Sequence, residues 1–411
     1  MKAISIPIGL GTSIILARAL GPEGFGKYAF VMALVPILCL PLTGGMQSLL
    51  SREIAAYKIS GSIGLLKGII ISAHSWVVLF SVIIVSCVLL YRETNFSWLE
   101  IDTLNFLSIA IFLLPMMGFS GVFSGAIKGL GAPAIAEISR MFVQPAVALC
   151  FLAFFFFRLE LGIEKAILIQ LVSASFGMFL VAILYVRTKQ AIGPNVRAEY
   201  VPRYWLASLG HFFILALLGT FGAQVGIVLL GFLGNSEDVA ALRVGERASQ
   251  FVGMSITLVN LVLVPHIVKA HKEYDLKKLQ KLSRSSARVA FLIAAPIGLV
   301  LIFIGEPIIA VLFGGEYAGI SYFPMLVLVV GQLFNVFFGS VGFLLAMTRN
   351  EKFAISGQLV SLMLNIFLCA LLIPKYGAVG AAIGITISLI VWNLVLSFYV
   401  WTKVKIRPSI I

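Results

Sequence analysis

Residues 206–233 read LASLGHFFILALLGTFGAQVGIVLLGFL, an apolar run without a single Asp, Glu, Lys or Arg. A helix rises about 1.5 Å per residue, so ~20 such residues cross the hydrocarbon of a bilayer with every backbone hydrogen bond satisfied internally. Trp76–Tyr91 and Leu104–Ala126 have the same character, and outward from them the pattern repeats along the whole chain. Twelve apolar segments emerge, at 3–20, 28–50, 66–91, 104–127, 134–157, 163–186, 205–233, 239–264, 288–313, 320–347, 353–374 and 377–402. The expected fold is therefore an all-α integral membrane protein with about twelve transmembrane helices.

Composition agrees. The 411 residues are 60% hydrophobic and 11% charged, with a mean hydropathy of +1.07, which excludes a water-soluble domain. With the N-terminus inside, 21 of the 30 Lys and Arg residues fall in cytoplasmic segments and 8 outside, while Arg140 stands at the start of a span. Cytoplasmic loops retain positive charge during insertion, so both termini are expected in the cytoplasm. The net charge of +13 is dispersed over many loops and forms no nucleic-acid recognition element; topology and anionic membrane lipid account for it. The densest basic run, Lys269 to Arg288, reads as an interfacial or solvated helix joining two halves.

Cys39, Cys87, Cys150 and Cys369 occupy four different spans, as small core residues, and His74, His211, His266 and His271 are equally scattered. No metal or cofactor is implied. Gly21-Pro-Glu-Gly-Phe-Gly26-Lys27 has the spacing of a phosphate-binding loop, but Tyr28 replaces the hydroxyl that would ligate magnesium and a membrane span stands where a strand should precede it. The apolar start, ending at Ala17-Arg18-Ala19, imitates a signal peptide and is read instead as the first span, since its removal would break the pairing of the spans.

That pairing is a repeat of about 214 residues. Ser51–Lys58 falls opposite Pro265–Lys272, Lys67 opposite Lys281, and Val186-Arg-Thr-Lys189 opposite Val400-Trp-Thr-Lys403. Six spans per unit is an even number, so both halves insert with the same polarity. The expected organisation is a six-helix bundle at 1–190, a cytoplasmic connector at 191–204 and a second six-helix bundle at 205–411, two parallel bundles around a central cavity. Pro36, Pro41, Pro115, Pro145, Pro296 and Pro324 lie within spans, where each removes a helix hydrogen bond and permits a bend.

Charges inside spans carry the functional reading, because an arginine at mid-bilayer costs ~2.5 kcal/mol or more unless it meets a partner or water. Arg18 and Arg52 lie at the ends of the first two spans, Arg140 begins the fifth with Glu137 three residues earlier, and Arg243, Glu246 and Arg247 share one face of the eighth. Ion pairing or snorkelling explains the Glu137 and Arg140 pair somewhat better than a binding role does. Arg247 lies two turns into its span with Glu246 about 100° away around the helix, which suits a cation facing an anionic substrate.

The segment Ala17-Arg-Ala-Leu-Gly-Pro-Glu-Gly-Phe-Gly-Lys-Tyr28 resembles the first-loop signature of the Wzx-type polysaccharide flippases, a branch of the multidrug/oligosaccharidyl-lipid/polysaccharide exporter superfamily. Leu312-Phe-Gly-Gly-Glu-Tyr317, Leu364-Asn-Ile-Phe, Leu372–Gly384 and Pro265 extend the resemblance over nearly the whole chain. The chain departs from it at the start, where family members usually carry a cytoplasmic leader.

The resemblance implies a two-lobed protein of the bacterial inner membrane that moves an undecaprenyl-diphosphate-linked oligosaccharide, an O-antigen or other surface-polysaccharide unit, from the cytoplasmic to the outer leaflet. It implies a cationic cavity in which Arg18, Arg52 and Arg247 match recurrent arginines, with Arg140 and Arg243 added from their embedded positions and Glu137 and Glu246 as groups for ion coupling. Polysaccharide polymerase and chain-length regulator proteins are the implied partners beside membrane lipid. Two other functions keep the fold: a lipid II flippase, which shares the cationic cavity, and a cation-antiport drug exporter, which calls for acidic residues deep in the spans. A glycan polymerase or ligase calls for a large outside loop, and the longest here runs only from about Arg92 to Thr103.

Overall fold

The computed structural model describes residues 2–93, 100–158, 160–189, 196–273, 275–348 and 350–406, and no strand forms among them. Arg349, Arg407, the middle of the outside loop at 94–99 and the first part of the connector at 191–195 lie outside the described residues. The helices are α1 (Lys2–Leu38), α2 (Leu40–Thr43), α3 (Met46–Ser60), α4 (Ile63–Arg92), α5 (Ile101–Ala110), α6 (Leu113–Gly129), α7 (Pro133–Ile138), α8 (Gln144–Arg158) and α9 (Ile163–Lys189), with a π-helical turn, Ser139–Val143, between α7 and α8. They continue as α10 (Pro202–Leu233), α11 (Ser236–Lys272), α12 (Leu276–Phe313), α13 (Gly315–Phe338), α14 (Val341–Met347) and α15 (Glu351–Tyr399), which ends in a second π turn, Val400–Val404.

Nine stretches among the described residues are long and apolar enough to cross a membrane. Two of them, Ile6–Ser60 and Glu351–Val404, run for 55 and 54 residues, each covering two sequence-derived spans. Apart from the interruption at Cys39, beside Pro41, their breaks fall at glycines. Gly21 has φ 66° and Gly377 φ 51°, conformations that a residue with a β-carbon reaches only under strain. The non-helical dihedrals in α1 and α15 therefore belong to glycines, whereas Pro296, Pro307, Pro324 and Pro374 sit inside helices without breaking them. The chain is a multi-pass helical membrane protein.

By contact the chain forms two compact units, one made of Met1–Leu20 with Val31–Phe221 and the other of Gly21–Phe30 with Gly222–Ile411. In the first, α6 presents Gly118, Gly125 and Gly129, and the neighbouring chain fills the space a β-carbon would take: Val77 Cγ1 at 2.7 Å, Gln47 O at 3.0 Å and Ile54 Cβ at 2.6 Å. Small residues on one helix face are how membrane helices approach closely without a hydrophobic drive between them. The start of α10 belongs to this unit, with Phe212 and Phe213 against Gly45 and Gly44. The described part of the connector is tied down as well, by Glu199 N to Gly64 O at 3.0 Å, and the residue that follows it by Trp205 Nε1 to Tyr57 Oη at 2.9 Å.

The second unit repeats the device with Gly298 under Leu333, Gly305 under Met325 and Gly331 under Thr386. Within it, Phe25 packs edge-on against Tyr317 at 6.3 Å between ring centres. A β-carbon on Gly26 would stand 1.7 Å from Ser236 O, so the glycines that imitate a phosphate loop are spent on packing.

Two expectations are corrected. The basic run Lys269 to Arg288 is no separate joining helix: it spans the end of α11 and the start of α12, because Asp275 caps α12 by accepting from Lys278 N at 2.9 Å and the helix then runs on into the membrane segment. Of the cysteines, Cys39 and Cys369 are core residues, but Cys87 and Cys150 are exposed on their helices, where lipid solvates an apolar thiol as well as protein does.

Candidate functional site

In the second unit the charged face of α11 is built by helical spacing. Positions 243, 246, 247 and 250 recur at three and four residues and so stack on one side. Arg243 Nη1 donates to Glu246 Oε2 at 2.9 Å, and their side chains are only 15% and 18% exposed. Arg247 donates from Nη1 to Gln250 Oε1 at 3.3 Å, while its buried Nε has no hydrogen-bond acceptor among the described residues. Two arginines thus share one carboxylate, leaving a net positive charge and a buried donor that asks for an oxygen. A phosphate offers what is missing, since a guanidinium binds its oxygens in pairs with charge-assisted hydrogen bonds.

The first unit holds its charges differently. Arg52 on α3 donates from both Nε and Nη2 to Glu53 Oε1, at 2.9 and 2.6 Å, and its guanidinium lies 4.9 Å from the centre of the Phe212 ring. Glu53 is buried and also accepts from Tyr204 Oη at 3.4 Å, whereas half of Arg52 is exposed. Glu137 pairs closely with Lys128 of α6, and Arg140, in the π turn, stands 3.8 Å from its other oxygen. The Arg140 side chain is 64% exposed. Arg18 is exposed on α1, three residues before the break at Gly21.

Arg243, Glu246 and Arg247 therefore form one cluster, Glu137 and Arg140 belong to a second, and Arg18 and Arg52 stand on two further helices of the first unit. The spacing of Glu137 and Arg140 is realised, but the closer cation is Lys128, which the sequence places in a cytoplasmic loop set. Lys128, Glu53, Phe212, Tyr204 and Gln250 complete the clusters without having been singled out. Glu53 directly follows Arg52, and neighbours in sequence ordinarily face apart on a helix, so periodicity hides that pair.

The profile of the family described as "Polysaccharide biosynthesis protein" matches residues 1–271. A Shigella flexneri protein named as an O-antigen transporter is 24% identical over 414 residues, covering 96% of this chain and 94% of its own. A Haloferax volcanii protein named as a low-salt glycan biosynthesis flippase, Agl15, is 21% identical over 95% of this chain and 79% of its own. A capsular polysaccharide biosynthesis protein, CapF of Staphylococcus aureus, is 30% identical over 155 residues, 37% of either chain. Among solved structures, an inward-facing multidrug resistance MATE family transporter of the MOP superfamily has a TM-score of 0.79 at 14% identity, covering 98% of this chain and 94% of that one. The lipid II flippase MurJ, inward closed, has a TM-score of 0.76 at 15% identity, covering 98% of this chain and 87% of that one.

Proposed function

This chain belongs to the polysaccharide biosynthesis protein family, and on that premise we propose that it is a flippase carrying an undecaprenyl-diphosphate-linked oligosaccharide from the cytoplasmic to the outer leaflet of a bacterial inner membrane. The relatives named as an O-antigen transporter and a glycan flippase, which align along almost all of the chain, support that cargo class. The observation that carries it is the α11 cluster, where one carboxylate half neutralises Arg243 and Arg247 and the buried Nε of Arg247 has no acceptor among the described residues. This is the arrangement a diphosphate completes. A drug-exporting reading calls instead for embedded acids in excess.

Arg18, Arg52, Arg140, Arg243 and Arg247 are assigned to the anionic head group in a fold of about twelve spans, six per half, with both termini in the cytoplasm. Alternating access moves the head group across while the lipid tail stays in the bilayer. A diphosphate carries about two negative charges, and an inside-negative potential of 100 mV favours its outward movement by ~2.3 kcal/mol per charge, so ~5 kcal/mol in all. No nucleotide hydrolysis is needed for direction. Glu137 and Glu246 are the groups through which an ion would couple, each now held by a cation. Polymerase and chain-length regulator proteins are the partners that would receive the product.

Leaflet translocation in proteoliposomes tests the reading, comparing fluorescent undecaprenyl-diphosphate oligosaccharide, lipid II and a small cationic dye under an imposed potential. Potential-dependent movement of the oligosaccharide lipid, lost in Arg247→Ala, is the expected result. Movement of lipid II alone would make the chain a peptidoglycan precursor flippase, and movement of the dye alone would end the proposal.

A further inference from the structure

A cavity of about 350 Å³ opens in the second unit at the junction of α12 with the end of α15, far along the chain from the arginines of α11. Its apolar side is Leu276, Leu279 and Val404, and its polar side is Asn350, Lys403 and Lys405. Leu279 and Val404 are buried in the core beneath, while Leu276 is half exposed beside the opening. No acidic residue lines the cavity, and neither lysine has a carboxylate partner among the described residues. Lys403 is held by its ammonium, 5.0 Å from the centre of the Phe353 ring.

The backbone here is costly to build. α15 ends in a π turn at Val400–Val404, and Lys405 follows with φ 62° and ψ 29°, the only non-glycine at positive φ among the described residues. A β-carbon in that conformation costs roughly 1 kcal/mol, and such strain gathers at ligand clamps. Lys277, Lys278 and Lys281 are exposed on the same stretch of α12. All of these lysines belong to the set that the charge bias places on the cytoplasmic side, where the leaflet surface is negative.

We propose that this cavity binds the phosphate head group of an anionic phospholipid of the cytoplasmic leaflet. Lys403 and Lys405 take the phosphate oxygens and Asn350 the glycerol or a second oxygen. The volume admits a glycerophosphate but not the acyl chains, which lie outside over Leu276. The inference rests on the orientation read from the charge bias and is independent of the cargo, so it stands or falls apart from the flippase reading.

Lipid binding to the purified, delipidated full chain decides it, read by native mass spectrometry and by the apparent Tm. Phosphatidylglycerol is compared with phosphatidylcholine, inorganic phosphate and glycerol 3-phosphate. The variants are Lys403→Gln, Lys405→Gly and the pair together, with Lys375→Gln as the control. Glycine suits the backbone at 405, so that variant removes the charge while keeping the fold. The expected result is retention of phosphatidylglycerol over phosphatidylcholine, weakened about five-fold by each single change and about 25-fold by both, since each lysine at an anionic membrane surface strengthens binding by a factor of about five. Equal retention of the two lipids, or wild-type binding by the double variant, overturns the site. Protection by inorganic phosphate as strong as by the lipid overturns the lipid and leaves a soluble phosphate ligand.

Discussion

The two units carry embedded charge in opposite ways. In the first, the carboxylates are sequestered and the arginines are out: Glu53 is buried under a half-exposed Arg52, and Glu137 is held by Lys128 while Arg140 is 64% exposed. On α11 both signs are sequestered, with Arg243 and Glu246 at 15% and 18% exposure and a second arginine beside them. An exposed arginine can find water or a passing anion at little cost. A sequestered one depends on whatever the protein or the cargo supplies. The first arrangement suits a surface that meets anions, and the second suits a site whose charge balance is completed by binding.

The largest effect expected from this contrast follows removal of the shared acid. Glu246→Gln leaves Arg243 and Arg247 with no counter-charge in a nearly dry setting, and losing one member of such a pair costs about 3–5 kcal/mol. The matching change in the first unit, Glu53→Gln, frees an arginine that already reaches outside and should cost about 1 kcal/mol. Unfolding in detergent, followed for both variants against the parent, reads the difference. Equal losses would mean that burial does not separate the two sites.

Transport should rank the arginines in the same order. Arg247→Ala removes the donor whose Nε has no acceptor among the described residues, and losing one charge-assisted contact to cargo predicts roughly a tenfold or greater fall in flipping rate. Arg140→Ala takes away a side chain that is mostly exposed and loosely paired, so the fall should be smaller. Rates in proteoliposomes at one protein density check this. A larger loss in Arg140→Ala would move the principal phosphate contact into the first unit.

Much of the fold was legible because hydrophobic length is a local property. Segments such as 163–186 and 205–233 return as α9 and α10 with ends moved by a few residues. Arg243 with Glu246 and Glu137 with Arg140 were legible too, since helical spacing alone brings them within reach. What escaped reading is non-local or depends on the backbone. Lys128 reaches Glu137 only because the chain turns at Gly131, φ 100°, between α6 and α7, and Phe212 meets Arg52 only through the packing of α10 on α3. Pro41, Pro115 and Pro145 stand in the first turns of α2, α6 and α8, just past interruptions of their spans, whereas Pro296 and Pro324 are absorbed inside helices and the breaks within α1 and α15 fall at glycines, because a residue at φ 66° or 51° must turn the chain. The basic run around Lys278 misled for a related reason: charge density marks an interface but not where a new helix starts, which the Asp275 cap decides.

The finest test of the contrast lies inside the first unit, where Glu137 has two cations at different depths. Lys128 and Glu137 are 24% and 17% exposed and in close contact, whereas Arg140 is 3.8 Å away and mostly in the open. A double-mutant cycle of Lys128→Gln with Glu137→Gln should give a coupling near 1 kcal/mol that barely responds to salt, because a half-buried pair is little screened. The cycle with Arg140→Gln should give ~0.3 kcal/mol and vanish at high salt, as exposed pairs three residues apart on a helix do. Should the Arg140 coupling prove the larger and resist salt, the arginine is drawn inward when the protein is in a bilayer, and the division between exposed and sequestered arginines no longer follows the division between the two units.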